Sequence, residues 1–126
     1  MLFPTTIFSD AIYSGGVDLS EQAFLILSAL ADRPRHGYAL ITEVSAMTDG
    51  RVRLRAGTLY GALDRLAGQG LVAPDREEVE NGRLRRYYAL TDAGAEALRT
   101  QSERMVAAAQ QTTERLALRP HLGGAA

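Results

Sequence analysis

The sequence predicts a mainly α chain with a small β wing: a winged helix-turn-helix followed by one long C-terminal dimerisation helix. Three observations predict it. Apolar residues recur at helical spacing in three successive segments before residue 70. Two strand-like runs then meet at Asn81-Gly82, the strongest short hairpin signal. A single long helical pattern closes the chain, from about residue 91 to 117, and stops before Pro120.

Residues 1–17 show no clean period. Leu2, Phe3, Ile7, Phe8, Ile12 and Tyr13 suit a short amphipathic arm, set apart by Gly15-Gly16. Such an arm needs a surface to cover it, and the residues leave open whether its own domain or a second subunit provides it. The first helix is expected over about 19–31, with Asp18 and Glu21 at capping-box spacing and Ala23, Phe24, Ile26, Leu27 and Leu30 as its apolar stripe. The second runs over about 37–48, with Leu40, Ile41, Val44 and Met47 inward, and closes at Asp49-Gly50. Val52-Arg53-Leu54 alternates like a short strand.

The third helix spans about 56–68. Leu59, Leu63 and Leu66 fall on one face, with Thr58, Gly61 and Arg65 roughly opposite and Tyr60 to the side. In the hairpin, Leu71 to Glu78 and Arg83 to Leu90 are the two runs. A two-residue loop sets Glu80 against Arg83, Val79 against Leu84, Glu78 against Arg85 and Glu77 against Arg86. Opposite charges across a ladder favour that register by roughly a few tenths of a kcal/mol each. The last helix opens at Thr91 and Asp92 and stops before Pro120; at about 1.5 Å per residue it is about 40 Å long, longer than its domain. Leu98, Ser102, Met105, Ala109, Thr112 and Leu116 alternate spacings of four and three, a heptad seam rich in small residues that favours packing on a second copy. The expected organisation is an arm over 1–17, a winged domain over 18–90, the dimerisation helix over 91–118 and a disordered tail over 119–126.

Composition bounds the chemistry. The chain has 126 residues, enough for one domain, and 46% apolar content, enough for one core. It has no Cys, two isolated His and no dense carboxylate cluster, so no catalytic set, metal site or cofactor is expected. No phosphate loop or nucleophile elbow occurs, and the chain does not read as an enzyme. No apolar run approaches a membrane span, so a cytoplasmic protein without membrane contact is the expectation.

The formal net charge is −1, yet its distribution is uneven. Residues 1–50 carry two Arg against six acids, whereas residues 51–91 carry eight Arg against five. A polyanion responds to local potential, and the positive potential sits in the middle third.

His36-Gly37-Tyr38, Gly57-Thr58-Leu59-Tyr60 with Leu63, Arg65-Leu66 and Gly70-Leu71-Val72, and Gly82-Arg83 with Arg86-Tyr87-Tyr88-Ala89-Leu90-Thr91 and Gly94 together resemble the PadR family of bacterial transcriptional regulators. The resemblance covers roughly residues 19–118. It implies a homodimer that binds a palindromic operator in double-stranded DNA, usually as a repressor, and the length resembles the family's short form with one C-terminal helix. Two features depart from it. Some short members stack flat ligands between tryptophans, and this chain has no Trp. The 18-residue lead before Leu19 is also longer than the short form needs.

On that reading the third helix enters the major groove. Thr58 and Gly61 permit close approach, and Arg65 reaches a phosphate or a guanine. Tyr60 contacts a phosphate or packs on the second helix. Arg53, Arg55 and the Tyr38 hydroxyl are backbone contacts, and Arg83, Arg85 and Arg86 are wing contacts. Bland alternatives stand beside these: Gly57 and Gly61 easing helix packing, Tyr60 in the core, Arg65 paired with Asp64, and wing arginines neutralised by Glu77, Glu78 and Glu80. A small-molecule effector at the dimer interface would fit the small residues of the seam. The rival function is a winged-helix protein-interaction module that dimerises without binding DNA specifically.

Overall fold

The computed structural model describes residues 18–120. The arm expected over 1–17 and the tail beyond Pro120 lie outside the described residues. Four helices and three strands follow in the order α1 (Glu21–Ala29), β1 (Arg35–His36), α2 (Gly37–Met47), α3 (Ala56–Gly68), β2 (Val72–Glu80), β3 (Arg83–Leu90) and α4 (Asp92–Leu118). The sheet is antiparallel with strand order β1-β3-β2.

α1 is the centre of the fold. Leu25, Ile26 and Leu27 are consecutive and all buried, which a one-sided helix cannot achieve; α1 packs against α2, α3 and α4 at once. Its cap is Ser20, whose Oγ accepts the Ala23 N–H at 3.1 Å. The expected Asp18 cap is not formed, because Asp18 stands two residues before the N-cap Ser20 and lies 3.9 Å from Arg104 instead. Arg35 Nε donates to the Ala29 carbonyl at 2.7 Å and so satisfies an acceptor at the end of α1.

Leu40 and Val44 of α2 and Leu59, Leu63 and Leu66 of α3 complete the centre, with Leu98 closing it from α4. Met47 was expected inward but is 43% exposed, since α2 ends there and its last turn overhangs the core. The short strand expected at 52–54 does not form. The third strand is Arg35–His36, paired with Tyr88 and Tyr87.

The hairpin adopts the register the charges dictate: Glu80 opposite Arg83, Val79 opposite Leu84, Glu78 opposite Arg85 and Glu77 opposite Arg86. Asn81 (φ 51°) and Gly82 (φ 76°) make the turn, both in the left-handed region a two-residue hairpin requires. Pro74 lacks an N–H, and the ladder is irregular between Pro74 and Glu77.

Thr91 fastens α4 to the wing. Its Oγ1 accepts the Gly94 N–H at 2.9 Å and donates to the Gly70 carbonyl at 2.6 Å. Gly94 lies so close to the Leu71 carbonyl that any side chain there would collide with it.

Candidate nucleic-acid interface

Among the described elements, the starts of α2 and α3 matter most. Three helices close their first turn with a side chain of their own: Ser20 for α1, His36 for α2 and Thr91 for α4. α3 has none, for Arg55 occupies its N-cap position without a side-chain hydrogen bond. Its first N–H groups are free to meet an anion.

Projection of α3 at 100° per residue places Gly57, Gly61 and Gly68 along the middle of its outward face, with Tyr60 and Asp64 on one flank and Thr58 and Arg65 on the other. A Cβ added at Gly57 meets nothing, and one at Gly61 meets only the tip of Arg65, at 3.7 Å. The protomer's own packing therefore does not call for these glycines. Each costs a helix about 1 kcal/mol relative to Ala, so a bare backbone stripe is maintained at the expense of stability. A different glycine is needed internally: a side chain on Gly37 at the start of α2 would strike the Tyr60 phenol. Tyr60 thus packs on the start of α2 while part of it stays exposed.

Tyr38, Arg53 and Arg85 come together. Tyr38 is 65% exposed, shares a groove on α2 with Arg53, and lies 5.9 Å from the Arg85 guanidinium carbon. That geometry is a cation–π contact at the edge of its range. Arg85 Nε is itself buried and has no acceptor, a polar atom left unsatisfied within the protomer. Arg53 Nε donates to the Gly50 carbonyl at 3.1 Å. Arg65 is not part of this group; it lines a separate groove between α3 and the start of α1, with Ser20 and Gln69.

The wing's pairings differ from a simple reading of its ladder. Only Arg86 and Glu77 pair across it, at 3.3 Å. Glu78 turns to Arg76 at 2.6 Å, and that guanidinium holds the Glu78 carboxyl below its usual range. Arg76 also lies 3.9 Å over the Tyr87 ring. Glu80 accepts the Tyr87 hydroxyl at 2.6 Å, and this bond raises the phenol's pKa. Glu80 also stands 3.9 Å from His36, whose other ring nitrogen caps α2. The acids of β2 are thereby occupied by neighbours other than Arg83 and Arg85.

Among the described residues, five of the eight arginines between 51 and 91 have no carboxylate within 4 Å: Arg53, Arg55, Arg65, Arg83 and Arg85. Arg65 does not pair with Asp64. Nothing in the sequence flagged the Arg76–Tyr87–Glu80 arrangement, although a proline in mid-strand signals the irregular ladder that permits it.

Along α4 the seam divides. Leu98 is buried in the protomer's own core. Ser102 is half-buried, whereas Met105, Ala109, Thr112 and Leu116 are exposed. Val106, exposed at the edge of this face, adds to the apolar surface. Among the described residues, no helix is long and apolar enough to cross a membrane.

Comparison with known proteins fits this architecture. The family model for the Transcriptional regulator PadR-like family matches residues 26–100. A transcriptional regulator of Mycobacterium tuberculosis is 41% identical over 73 residues, which are 58% of this chain and 64% of that protein. Another curated relative, from Streptomyces fradiae, is matched over only 23% of its length, so the chain spans less than two thirds of these relatives. A PadR family transcription regulator of Clostridium difficile superposes with a TM-score of 0.65 at 23% identity, covering 77% of this chain and 99% of that one. A Bacillus subtilis PadR solved in complex with operator DNA superposes at 0.58 with 19% identity, covering 65% of this chain and 47% of that one. At these identities the two structures show the shared fold.

Proposed function

Since the chain belongs to the PadR-like family of transcriptional regulators, we propose that it is a sequence-specific DNA-binding regulator that grips a palindromic operator as a homodimer and acts as a cytoplasmic repressor. The observation that carries this reading is the set of five arginines without carboxylate partners on and around α3 and the wing. An arginine left unpaired beside acids that have found other partners is available to a phosphate. The bare glycine stripe of α3 lets its backbone approach the floor of the major groove. Thr58 and the uncapped amides of α3 meet the phosphates at its entrance, with Arg55 beside them. Arg65 and Tyr60 hold its flanks. Tyr38, Arg53 and Arg85 grip the backbone on the α2 side, and Arg83 and Arg86 extend the contact along the wing. The family member from Bacillus subtilis was solved with the kind of partner proposed here.

Two copies join through the α4 seam, the half-buried Ser102 and the exposed Met105, Ala109, Thr112 and Leu116, and so set two α3 helices one turn of duplex apart. Leu98, at the head of that seam, orients α4 from the core. A small-molecule effector lodged between the paired helices would spread them and release the operator.

One observation favours the rival reading of a protein-interaction module. Val79 and Leu84 oppose each other near the hairpin tip, 72% and 57% exposed, an apolar pair suited to a protein surface. Selection of genomic fragments retained by the purified protein separates the two. Enrichment of fragments sharing an inverted repeat supports the regulator, and retention without sequence preference rejects it.

A further inference from the structure

Glu80 and Arg83 are direct partners across the β2–β3 ladder, on either side of the Asn81-Gly82 turn. Opposite charges so placed ordinarily pair. Here they do not: among the described residues, no carboxylate lies within 4 Å of Arg83, which is exposed. The Glu80 side chain turns instead toward the base of the wing. Its Oε2 accepts the Tyr87 hydroxyl at 2.6 Å, and its Oε1 lies 3.9 Å from His36 Nε2. Each strand of the sheet thus sends one residue to this point: His36 from β1, Tyr87 from β3 and Glu80 from β2.

The Tyr87 ring is fixed by two contacts. The Arg76 guanidinium lies 3.9 Å over its face, and the His36 ring meets it edge-on with centroids 5.2 Å apart. His36 is anchored in turn, for its Nδ1 accepts the Ala39 N–H at the start of α2. That bond leaves Nε2 to carry the proton of the neutral ring, on the side of Glu80. The hydroxyl remains a donor, because the bond to Glu80 raises the phenol's pKa. A charge-assisted bond to a partly buried phenol outweighs an ion pair between two chains in water. We propose that Tyr87 is a positioning residue for DNA binding: its hydroxyl holds the Glu80 carboxylate away from the ladder partner and so keeps Arg83 free for a phosphate. This rests on the reading of the wing as a DNA contact. Tyr87 itself touches no phosphate. Without the hydroxyl, Glu80 returns to Arg83, since the register already sets them side by side, and the wing tip presents a neutralised pair.

Tyr87→Phe tests this, because it removes one oxygen and keeps the ring between Arg76 and His36. In protein free of DNA, the Arg83 Nε–H resonance should shift in Tyr87→Phe and return to its parent position when Glu80→Gln is added. In operator titrations, Tyr87→Phe should weaken binding about threefold to fivefold and flatten the log–log salt slope by about one per protomer. Adding Glu80→Gln should restore both, a rescue that a hydroxyl serving only stability would not show. In an Arg83→Ala background, Tyr87→Phe should change affinity no further. An Arg83 resonance indifferent to Tyr87→Phe overturns the proposal whatever the protein binds. A resonance that moves while affinity holds, or a loss that Glu80→Gln fails to restore, overturns the role in DNA binding. Failure of the regulator reading shows separately, in the selection of genomic fragments by the parent protein.

Discussion

α3 and the outer half of α4 both present a face that the protomer does not cover, yet their surfaces are opposite in kind. The α3 face is glycine at its centre and carries Arg65, Thr58 and Tyr60 at its edges. The α4 face is aliphatic and small, with Met105, Val106 and Leu116 exposed. The first has little to bury but backbone, and it offers hydrogen bonds, with the positive charge of Arg65 on one flank and Asp64 on the other. The second offers apolar area and no strong charge. What each lacks identifies its partner: a polyanion whose groove admits a helix for α3, and another apolar helix for α4.

The largest effect that can break this comparison lies on α4. Val106→Glu with Leu116→Glu should separate the pair and, by removing the avidity of two half-sites, lower operator affinity about a hundredfold or more. Sedimentation of the variant beside the parent checks it; a parent that is already a lone protomer at micromolar concentration breaks the comparison. Next, Arg65→Ala and Arg85→Ala should each weaken operator binding by about fivefold to tenfold while leaving the melting temperature nearly unchanged. Arg86→Ala should do less, because Glu77 already occupies that guanidinium. If Arg65→Ala melts the fold and leaves the affinity of folded molecules intact, Arg65 is structural.

A sharper test uses opposite signs. Gly61→Ala should stabilise the fold by about 0.5–1 kcal/mol, because its Cβ finds room, and should weaken operator binding. Calorimetry and a binding titration on one sample read both. Stabilisation with unchanged affinity would mean that nothing approaches the α3 backbone.

The fold was legible wherever one signal acted locally. Asn81-Gly82 and the facing charges specify the hairpin to the residue, and the leucines of α3 specify its buried side. β1 was not legible, for it has two residues and its identity rests on Tyr87 and Tyr88 far along the chain. The wing's ion pairs were half legible. Register says which backbone positions face each other, but the irregular ladder after Pro74 lets Arg76 fold over Tyr87 and take Glu78. Leu98 matches the heptad spacing as well as any seam residue, yet it belongs to the core. Periodicity marks a face of α4 without saying where the domain ends.

The smallest expected effect follows from the Arg76–Glu78 pair. Its depressed carboxyl pKa means the pairing contributes at pH above the ordinary glutamate range. That contribution persists as pH falls into that range and is lost only as pH falls through the lower, folded-state value. Side-chain carboxyl shifts followed by NMR during an acid titration should show Glu78 protonating below the ordinary range in the parent and within it in Arg76→Ala.

The most direct measurement is the salt dependence of operator affinity. If each protomer engages three or four phosphates, log affinity against log salt has a slope near −6, and binding weakens more than about a hundredfold between ~50 and ~200 mM. A slope near zero would mean that the unpaired arginines do not meet a nucleic acid backbone.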